Sequence, residues 1–221
     1  MTGIAGNYQD ILQRIRSAAQ RAGRPADSIQ LVAVTKTVPP ERIQEALECG
    51  VKHIGENRVQ EALAKRDALA KADITWHFIG RIQTNKAKKI VENFDWVHSL
   101  DRVDVAEALA RYAVHRQPLP VLIEVKLQDE PNKSGASERD LAALVPALRR
   151  FDSLEVRGLM AVPPPVEDAE QARPFFRRLR ALAQDFGLTE LSMGMTHDFE
   201  IAVEEGATMV RIGTGLFGAR S

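Results

Sequence analysis

The 221 residues suffice for one large domain or two small ones, and a hydrophobic fraction of 44% is enough for a sizeable core. The 30 basic residues balance 30 acidic ones, which argues against nucleic-acid binding, since that function needs a net basic charge or a strong basic stripe. The single cysteine, Cys49, excludes an internal disulfide framework. Because we find neither a signal-peptide core nor an uncharged apolar run of membrane-spanning length, we expect a cytoplasmic protein.

The predicted elements alternate between helix and strand along most of the chain. An amphipathic N-terminal helix ends near Gly23 and Pro25. Eight β-rich apolar segments follow, and each precedes a helical pattern or at least a helical turn; they cover residues 31–35, 53–56, 76–80, 96–100, 120–125, 156–161, 190–195 and 208–214. The helix after the sixth strand runs to about Phe186, and Pro174 either bends it or marks its beginning. Thr196 is expected to cap the helix after the seventh strand.

This order of elements predicts an α/β fold. Strands that alternate with helices pair in parallel, and eight such units favour a closed (β/α)8 TIM barrel, with an open doubly wound sheet as the alternative. The extra helix, within residues 1–25, is expected to pack on the barrel. Because no linker or break in composition divides the chain, residues 1–221 are interpreted as a single domain. We expect a monomer, because no apolar stripe demands a partner.

Lys36 is the first candidate site residue, because it follows the apolar strand LVAVT directly. Ligands of a (β/α)8 barrel bind at the C-terminal ends of the strands. A lysine at that position loses hydration, which favours the neutral amine that attacks an aldehyde or ketone to form a Schiff base. A solvated lysine at a strand end is the simpler alternative.

Small and hydroxyl-bearing residues follow the last two strands, where barrels commonly bind phosphate. Ser192 and Thr214 offer hydroxyl donors, and Gly213 lets backbone N–H groups approach an anion. Ordinary turn chemistry is the alternative for either segment alone. A phosphate cradle opposite a Schiff-base lysine is the combination that pyridoxal 5'-phosphate (PLP) requires.

Arg211 is a charged residue inside an apolar strand, on the same face as Gly213. A guanidinium that faces the pyridine nitrogen of PLP keeps that nitrogen unprotonated and so restrains carbanion chemistry. An ion pair with Glu204 or Asp198 is the alternative. Two further roles stay open: His77 points into or out of the barrel according to strand register, and Lys133 either rims the cofactor mouth or is solvated.

Taken together, several segments resemble the pyridoxal phosphate homeostasis protein family; they are LVAVTK, GENRVQEA, WHFIGRIQTNK, NKSG, RGLMAVPP and LSMGMTHDFEIAVEEGATMVRIGTGLFG. The segments span about residues 31–220 in matching order. The resemblance implies a single-domain barrel similar to the N-terminal domain of alanine racemase, with PLP held on Lys36 as a Schiff base. It also implies ring or phosphate contacts from Asn57, Ser192, Arg211, Gly213 and Thr214.

The same resemblance implies a protein of intracellular PLP (vitamin B6) homeostasis without strong catalytic turnover, with apo PLP-dependent enzymes as candidate partners. A PLP-dependent amino-acid racemase of low activity is the second hypothesis. Racemisation needs an acid or base on the opposite face of the ring, and the two tyrosines, Tyr8 and Tyr112, lie in predicted helices away from the strand ends. A Schiff-base aldolase acting on a phosphosugar is a third hypothesis, and it predicts a colourless protein. The five histidines show no metal-ligand spacing.

Overall fold

The computed structural model describes residues 3–69, 72–128 and 134–218, and the elements named here lie within these ranges. The strands are β1 (Gln30–Val34), β2 (His53–Glu56), β3 (Thr75–Phe78), β4 (Trp96–Leu100), β5 (Leu119–Lys126), β6 (Ala136–Ser137), β7 (Leu154–Met160), β8 (Glu190–Ser192) and β9 (Met209–Ile212). The helices are α1 (Ile4–Arg21), α2 (Pro40–Glu48), α3 (Val59–Ala68), α4 (Ala87–Asn93), α5 (Val103–Ala113), α6 (Leu141–Leu148), α7 (Arg173–Asp185), α8 (Phe199–Glu204) and α9 (Thr214–Phe217). None of these helices combines the length and the apolar character that crossing a bilayer requires.

Eight of the strands form a closed parallel barrel, which confirms the predicted (β/α)8 fold and rules out the open sheet. The strands follow one another around the barrel in the order β1, β2, β3, β4, β5, β7, β8 and β9, and β9 pairs again with β1. The pairing of Val97 in β4 with Val121 in β5 completes the ring. The two-residue strand β6, which the sequence pattern does not predict, pairs with the end of β5 outside the ring.

The last two strands end earlier than their apolar patterns predict, because the backbone turns sooner. β8 ends at Ser192, and Gly194 has a φ of 89°, in the left-handed region that glycine adopts at little cost. β9 ends at Ile212, so Gly213 and Thr214 lie where the chain turns into α9. The small and hydroxyl-bearing residues therefore lie on turns at the C-terminal mouth of the barrel.

Apolar side chains pack in two clusters, one on each face of the barrel wall. The larger cluster joins the outer face of the strands to the surrounding helices. The smaller cluster fills part of the barrel interior and consists of Val32, Leu122, Met160 and Met209, with Trp96 packed against it. This arrangement follows from the alternation of side chains along each strand, which sends every second residue inward.

Helix α1 packs on the outside of the barrel against α8 and α9, as the sequence predicts for the extra helix. Arg14 forms an ion pair with Glu200 at 2.7 Å, and its guanidinium carbon lies 4.6 Å from the centre of the Phe199 ring. The side-chain amide of Asn7 donates a hydrogen bond to the carbonyl oxygen of Leu216 at 2.9 Å. These contacts attach the N-terminal helix to the last two helices of the barrel.

Two helix starts test the sequence predictions directly. Helix α7 begins at Arg173 with Pro174 in its first turn, so the proline marks the beginning of the helix and does not bend it. The prediction that Thr196 caps the next helix is wrong, because α8 begins at Phe199 after Asp198. The carboxylate of Asp198 accepts a hydrogen bond from the Met195 N–H at 2.6 Å, which holds the turn before α8.

Candidate functional site

Lys36 lies just beyond the C-terminal end of β1 and lines a cavity of about 390 Å³. Gly213 and Thr214, on the turn after β9, line the same cavity. Its apolar wall includes Val38 and Phe217. The volume falls within the range of small-molecule sites, so the structure joins a strand-end amine to the predicted phosphate turn in one ligand-sized space.

A buried ion pair fixes the backbone immediately before Lys36. The ammonium of Lys65 lies 2.6 Å from the carboxylate of Glu56, and both side chains are buried. The hydroxyl of Thr35 donates a hydrogen bond to the same carboxylate at 2.5 Å, and the Thr35 carbonyl oxygen accepts one from Lys65 at 2.7 Å. Helix α3 and strand β2 together therefore hold the residue that precedes the candidate lysine.

The residue after Lys36 has an unusual backbone conformation. Thr37 has a φ of 63°, and within the described ranges it is the one residue other than glycine in the left-handed region. This conformation is energetically costly for a β-branched side chain and concentrates at functional sites. The Thr37 N–H donates a hydrogen bond to the carboxylate of Glu61 at 3.3 Å, which helps to hold it.

The loop after β8 and the turn after β9 bring hydroxyl groups together at the mouth. The Thr196 hydroxyl accepts a hydrogen bond from the Gly215 N–H at 3.2 Å and lies 3.4 Å from the Thr214 hydroxyl. A Cβ atom added to Gly215 would come within 3.0 Å of the Thr196 methyl carbon, so glycine permits this close approach. Hydroxyl donors grouped with backbone N–H groups suit a phosphate.

Arg211 and Ser192 form a buried pair inside the barrel. The Nη1 group of Arg211 donates hydrogen bonds to the Ser192 hydroxyl at 2.6 Å and to the Ser192 carbonyl at 2.7 Å, and Nη2 donates to the Ala161 carbonyl at 2.9 Å. The ion pair with Glu204 or Asp198 that we considered as an alternative does not occur among the described side chains. Two of the five N–H donors of the guanidinium, on Nε and Nη2, have no hydrogen-bond partner among the described groups.

The surroundings of Arg211 set its charge. Burial lowers its pKa to about 10, while the negative charges of Glu124 and Asp198 oppose that shift. Arg211 therefore stays positively charged at neutral pH. Burial also raises the pKa of Glu124, although the Ser134 hydroxyl opposes this by donating a hydrogen bond to its carboxylate at 3.1 Å.

Three histidines continue from Ser192 through the barrel interior. Nδ1 of His98 lies 2.9 Å from the Ser192 hydroxyl oxygen, and Nε2 of His98 lies 2.9 Å from Nδ1 of His77. Nε2 of His77 lies 3.0 Å from Nδ1 of His53, which is half-buried at the start of β2. His77 therefore points inward, and the row of rings runs from Arg211 towards the N-terminal end of the barrel.

The histidines in this row are uncharged near neutral pH. Burial lowers the pKa of His77 to about 3, and it also brings the pKa of His98 well below its ordinary value. The pKa of His53 is lowered by burial and by the neighbouring ammonium of Lys52. The sequence analysis missed His53 and His98, although the signal was present: three successive strands each carry one histidine.

The predicted site residues occupy three places: Lys36, Gly213 and Thr214 share one cavity, whereas Ser192 and Arg211 are buried inside the barrel and do not line it. Asn57 lies apart from both groups. It lines a separate cavity of about 640 Å³ that is bordered by basic side chains, including Arg58 and Arg81. Its buried Oδ1 atom has no hydrogen-bond partner among the described groups, and its backbone comes so close to Gly80 that a Cβ atom there would lie 2.1 Å from the Asn57 carbonyl oxygen. Lys133, whose role the sequence left open, lies outside the described residues.

Comparison with known proteins gives relatives along the whole chain. The family described as "Alanine racemase, N-terminal domain" matches residues 7–221. The chain is 46% identical over 223 residues to the "Pyridoxal phosphate homeostasis protein" of Pseudomonas aeruginosa, an alignment that covers 100% of this chain and 97% of the relative. PipY of Synechococcus elongatus PCC7942, solved with PLP bound, superposes with a TM-score of 0.82 at 42% identity over 94% of this chain and 100% of PipY. Alanine racemase of Corynebacterium glutamicum, with a TM-score of 0.67 over 95% of this chain and 60% of that enzyme, shares the fold at 20% identity.

Proposed function

This chain belongs to the pyridoxal phosphate homeostasis protein family, and we propose that it binds PLP and takes part in intracellular PLP (vitamin B6) homeostasis, with Lys36 as the point of covalent attachment. One observation carries the assignment of the lysine: Lys36 opens into the same cavity as Gly213 and Thr214. Covalent capture of an aldehyde and recognition of a phosphate can therefore act on one small molecule. The PLP-bound structure of PipY supports this choice of ligand.

The residues present fit the chemical groups of PLP. The Lys36 amine attacks the aldehyde carbon, a C=N bond forms, and the aldehyde oxygen leaves as water. PLP, when bound, supplies an aromatic ring that can act as an electron sink. The Thr214 hydroxyl and the glycine-rich turn around it would bind the phosphate. Asn57 remains a proposed contact from the neighbouring strand end.

Arg211 and Ser192 are proposed to recognise the pyridine ring. The remaining N–H donors of Arg211 can donate only to an unprotonated ring nitrogen, because a protonated nitrogen offers no lone pair. The guanidinium is anchored at Ser192 and Ala161, so contacts within the protein hold it in place. This arrangement weakens the electron sink and favours holding PLP over carbanion chemistry.

Low catalytic turnover follows from the same arrangement, and a weak PLP-dependent racemase is the alternative. An efficient racemase needs an acid or base on each face of the ring. The Tyr8 hydroxyl donates to the Gly50 carbonyl on the outside of the barrel, and Tyr112 is 42% exposed on α5. Neither tyrosine is positioned for this role. We further expect a cytoplasmic monomer that passes PLP to apo-enzymes.

The absorption spectrum of the purified chain mixed with PLP tests the assignment. We expect a near-visible band from the C=N bond, and we expect Lys36→Ala to abolish it. Lys126→Ala is the matched control, because Lys126 also ends a barrel strand but lies outside the Lys36 cavity. A band that survives in Lys36→Ala would contradict the attachment site. Rapid racemisation of amino acids by the unsubstituted chain would favour the enzyme, and a colourless protein would favour an aldolase.

A further inference from the structure

The three interior histidines do not contact the Lys36 cavity, and the binding of PLP alone does not explain them. Each ring shares a hydrogen bond with the next, and the last one shares a hydrogen bond with the Ser192 hydroxyl at 2.9 Å. His77 and His98 are fully buried, where an unpaired polar group would cost stability. Apolar side chains would fill this part of the barrel without that cost, so the buried histidines indicate a role other than packing.

The contacts with Arg211 fix the direction of this row of hydrogen bonds. The Ser192 hydroxyl oxygen accepts a hydrogen bond from Arg211, so its own hydrogen needs a separate acceptor, and Nδ1 of His98 lies 2.9 Å away. A neutral imidazole carries one donor and one acceptor, so His98 then has its hydrogen on Nε2 and donates to His77. The same reasoning leaves His77 with its hydrogen on Nε2 as well, donating to His53.

The opposite direction is less favourable. If His98 donated from Nδ1, the Ser192 oxygen would accept hydrogen bonds from both His98 and Arg211, and no described acceptor would remain for the serine hydrogen. The favoured direction also turns the acceptor side of each group towards the Arg211 cation. Aligned hydrogen bonds of this kind strengthen one another in a low-dielectric interior.

We propose that His53, His77, His98 and Ser192 form a one-directional hydrogen-bond relay that positions Arg211 against the ring nitrogen of PLP. This proposal rests on the proposed function, in which Arg211 faces that nitrogen. The relay holds the Ser192 oxygen as an acceptor, and the acceptor in turn holds Nη1 of Arg211. The histidines are positioning residues, because they act through Ser192 and do not touch the cofactor.

A measurement on the protein without PLP tests the direction of the relay. In ¹⁵N-labelled protein, long-range proton–nitrogen NMR distinguishes a ring nitrogen that carries hydrogen from one that does not. We expect His77 and His98 to carry hydrogen on Nε2 at every pH near neutrality at which the protein is folded. A hydrogen on Nδ1 of His98 would overturn the proposal whether or not PLP binds.

A spectroscopic titration tests the positioning role. His77→Phe keeps a flat ring beside Trp96 but removes both nitrogens, so it interrupts the relay without touching the cavity. With Arg211 less firmly held, the ring nitrogen should take up a proton more readily. The positive charge on the ring makes the conjugated C=N nitrogen more acidic, so the pH midpoint of the near-visible band, which reports that nitrogen, should fall by about 0.5 to 1 unit, roughly a three- to tenfold change in proton affinity.

Two variants separate this effect from general damage to the core. His77→Gln supplies an amide with one acceptor and donors, so we expect it to restore most of the unsubstituted midpoint. Phe78→Leu removes apolar volume from the outer face of the same strand and should leave the midpoint unchanged. Thermal unfolding shows which variants are folded before the spectra are compared.

The outcomes distinguish the two proposals. A near-visible band whose pH midpoint is the same in the unsubstituted chain and in a folded His77→Phe variant would overturn the relay and leave PLP binding intact. Equal shifts in His77→Phe and Phe78→Leu would also overturn it, because the effect would then be structural. Absence of the band from the unsubstituted chain would refute the proposed function and, with it, the positioning role.

Discussion

Lys65→Met is predicted to destabilise the barrel strongly, because it leaves a buried carboxylate without its counter-ion. Lys65 is 7% exposed and Glu56 is 0% exposed, and their charged atoms lie 2.6 Å apart. Removing one partner of a buried pair costs about 3–5 kcal/mol. Only the Thr35 hydroxyl would still donate to Glu56, whose Oε2 atom already has no partner among the described groups. For a chain of this length the loss corresponds to a fall of about 6–20 °C in Tm.

Urea unfolding monitored by circular dichroism measures the free energy of unfolding for this variant. Lys88→Met is the matched control, because Lys88 pairs with Glu92 at 3.8 Å on the exposed side of α4, where such pairs contribute at most about 1 kcal/mol. Methionine and lysine have similar helix propensities, so the comparison isolates burial. The double variant Glu56→Gln/Lys65→Met should recover much of the loss. A cost below about 1 kcal/mol for Lys65→Met would refute the reasoning.

Two further predictions concern the barrel wall and a buried acid. Gly158→Ala should lower the free energy of unfolding, measured by thermal unfolding, by about 3 kcal/mol or more, because the new Cβ atom would lie 1.9 Å from the Glu190 carbonyl oxygen. Gly3→Ala is the control and should change stability little, because the space around Gly3 is open. Equal losses in the two variants would contradict this. Burial raises the pKa of Glu124, so the folded state favours the protonated carboxyl group. The stability that the protonated group contributes is lost as pH rises through the raised pKa. Glu124→Gln should therefore gain stability relative to the unsubstituted chain as pH rises above about 4, and a difference that does not change with pH would count against the buried-acid account.

The barrel and the mouth of its site follow from the sequence because both depend on local patterns. Each strand is a short apolar run bounded by turn residues, and alternation with helical patterns requires parallel pairing. Parallel strands end at the same face, so Lys36 after β1 and Gly213 after β9 were expected to meet, and they line one cavity. Pro174 was equally predictable as a helix start, although the sequence also allowed a bend.

The interior of the barrel could not be predicted in the same way, because it depends on register between strands. Gly55 pairs with His77, and His77 pairs with Trp96, so the stagger of β2, β3 and β4 brings the three histidine rings into one row. The ion pair of Glu56 with Lys65 joins a strand to the next helix and has no periodic signature. Thr196 resembles a helix cap in the sequence, but the turn after Gly194 directs its hydroxyl to Gly215.

The central claim is that residue 36 carries PLP through a covalent bond, and chemical trapping tests it most directly. Reduction of the PLP-loaded protein with borohydride adds hydride to the carbon of the C=N bond and makes the attachment permanent. Digestion and mass spectrometry then locate the modified residue. The account predicts modification of Lys36 in near-stoichiometric yield. Modification concentrated on any other lysine, or none at all, would contradict it.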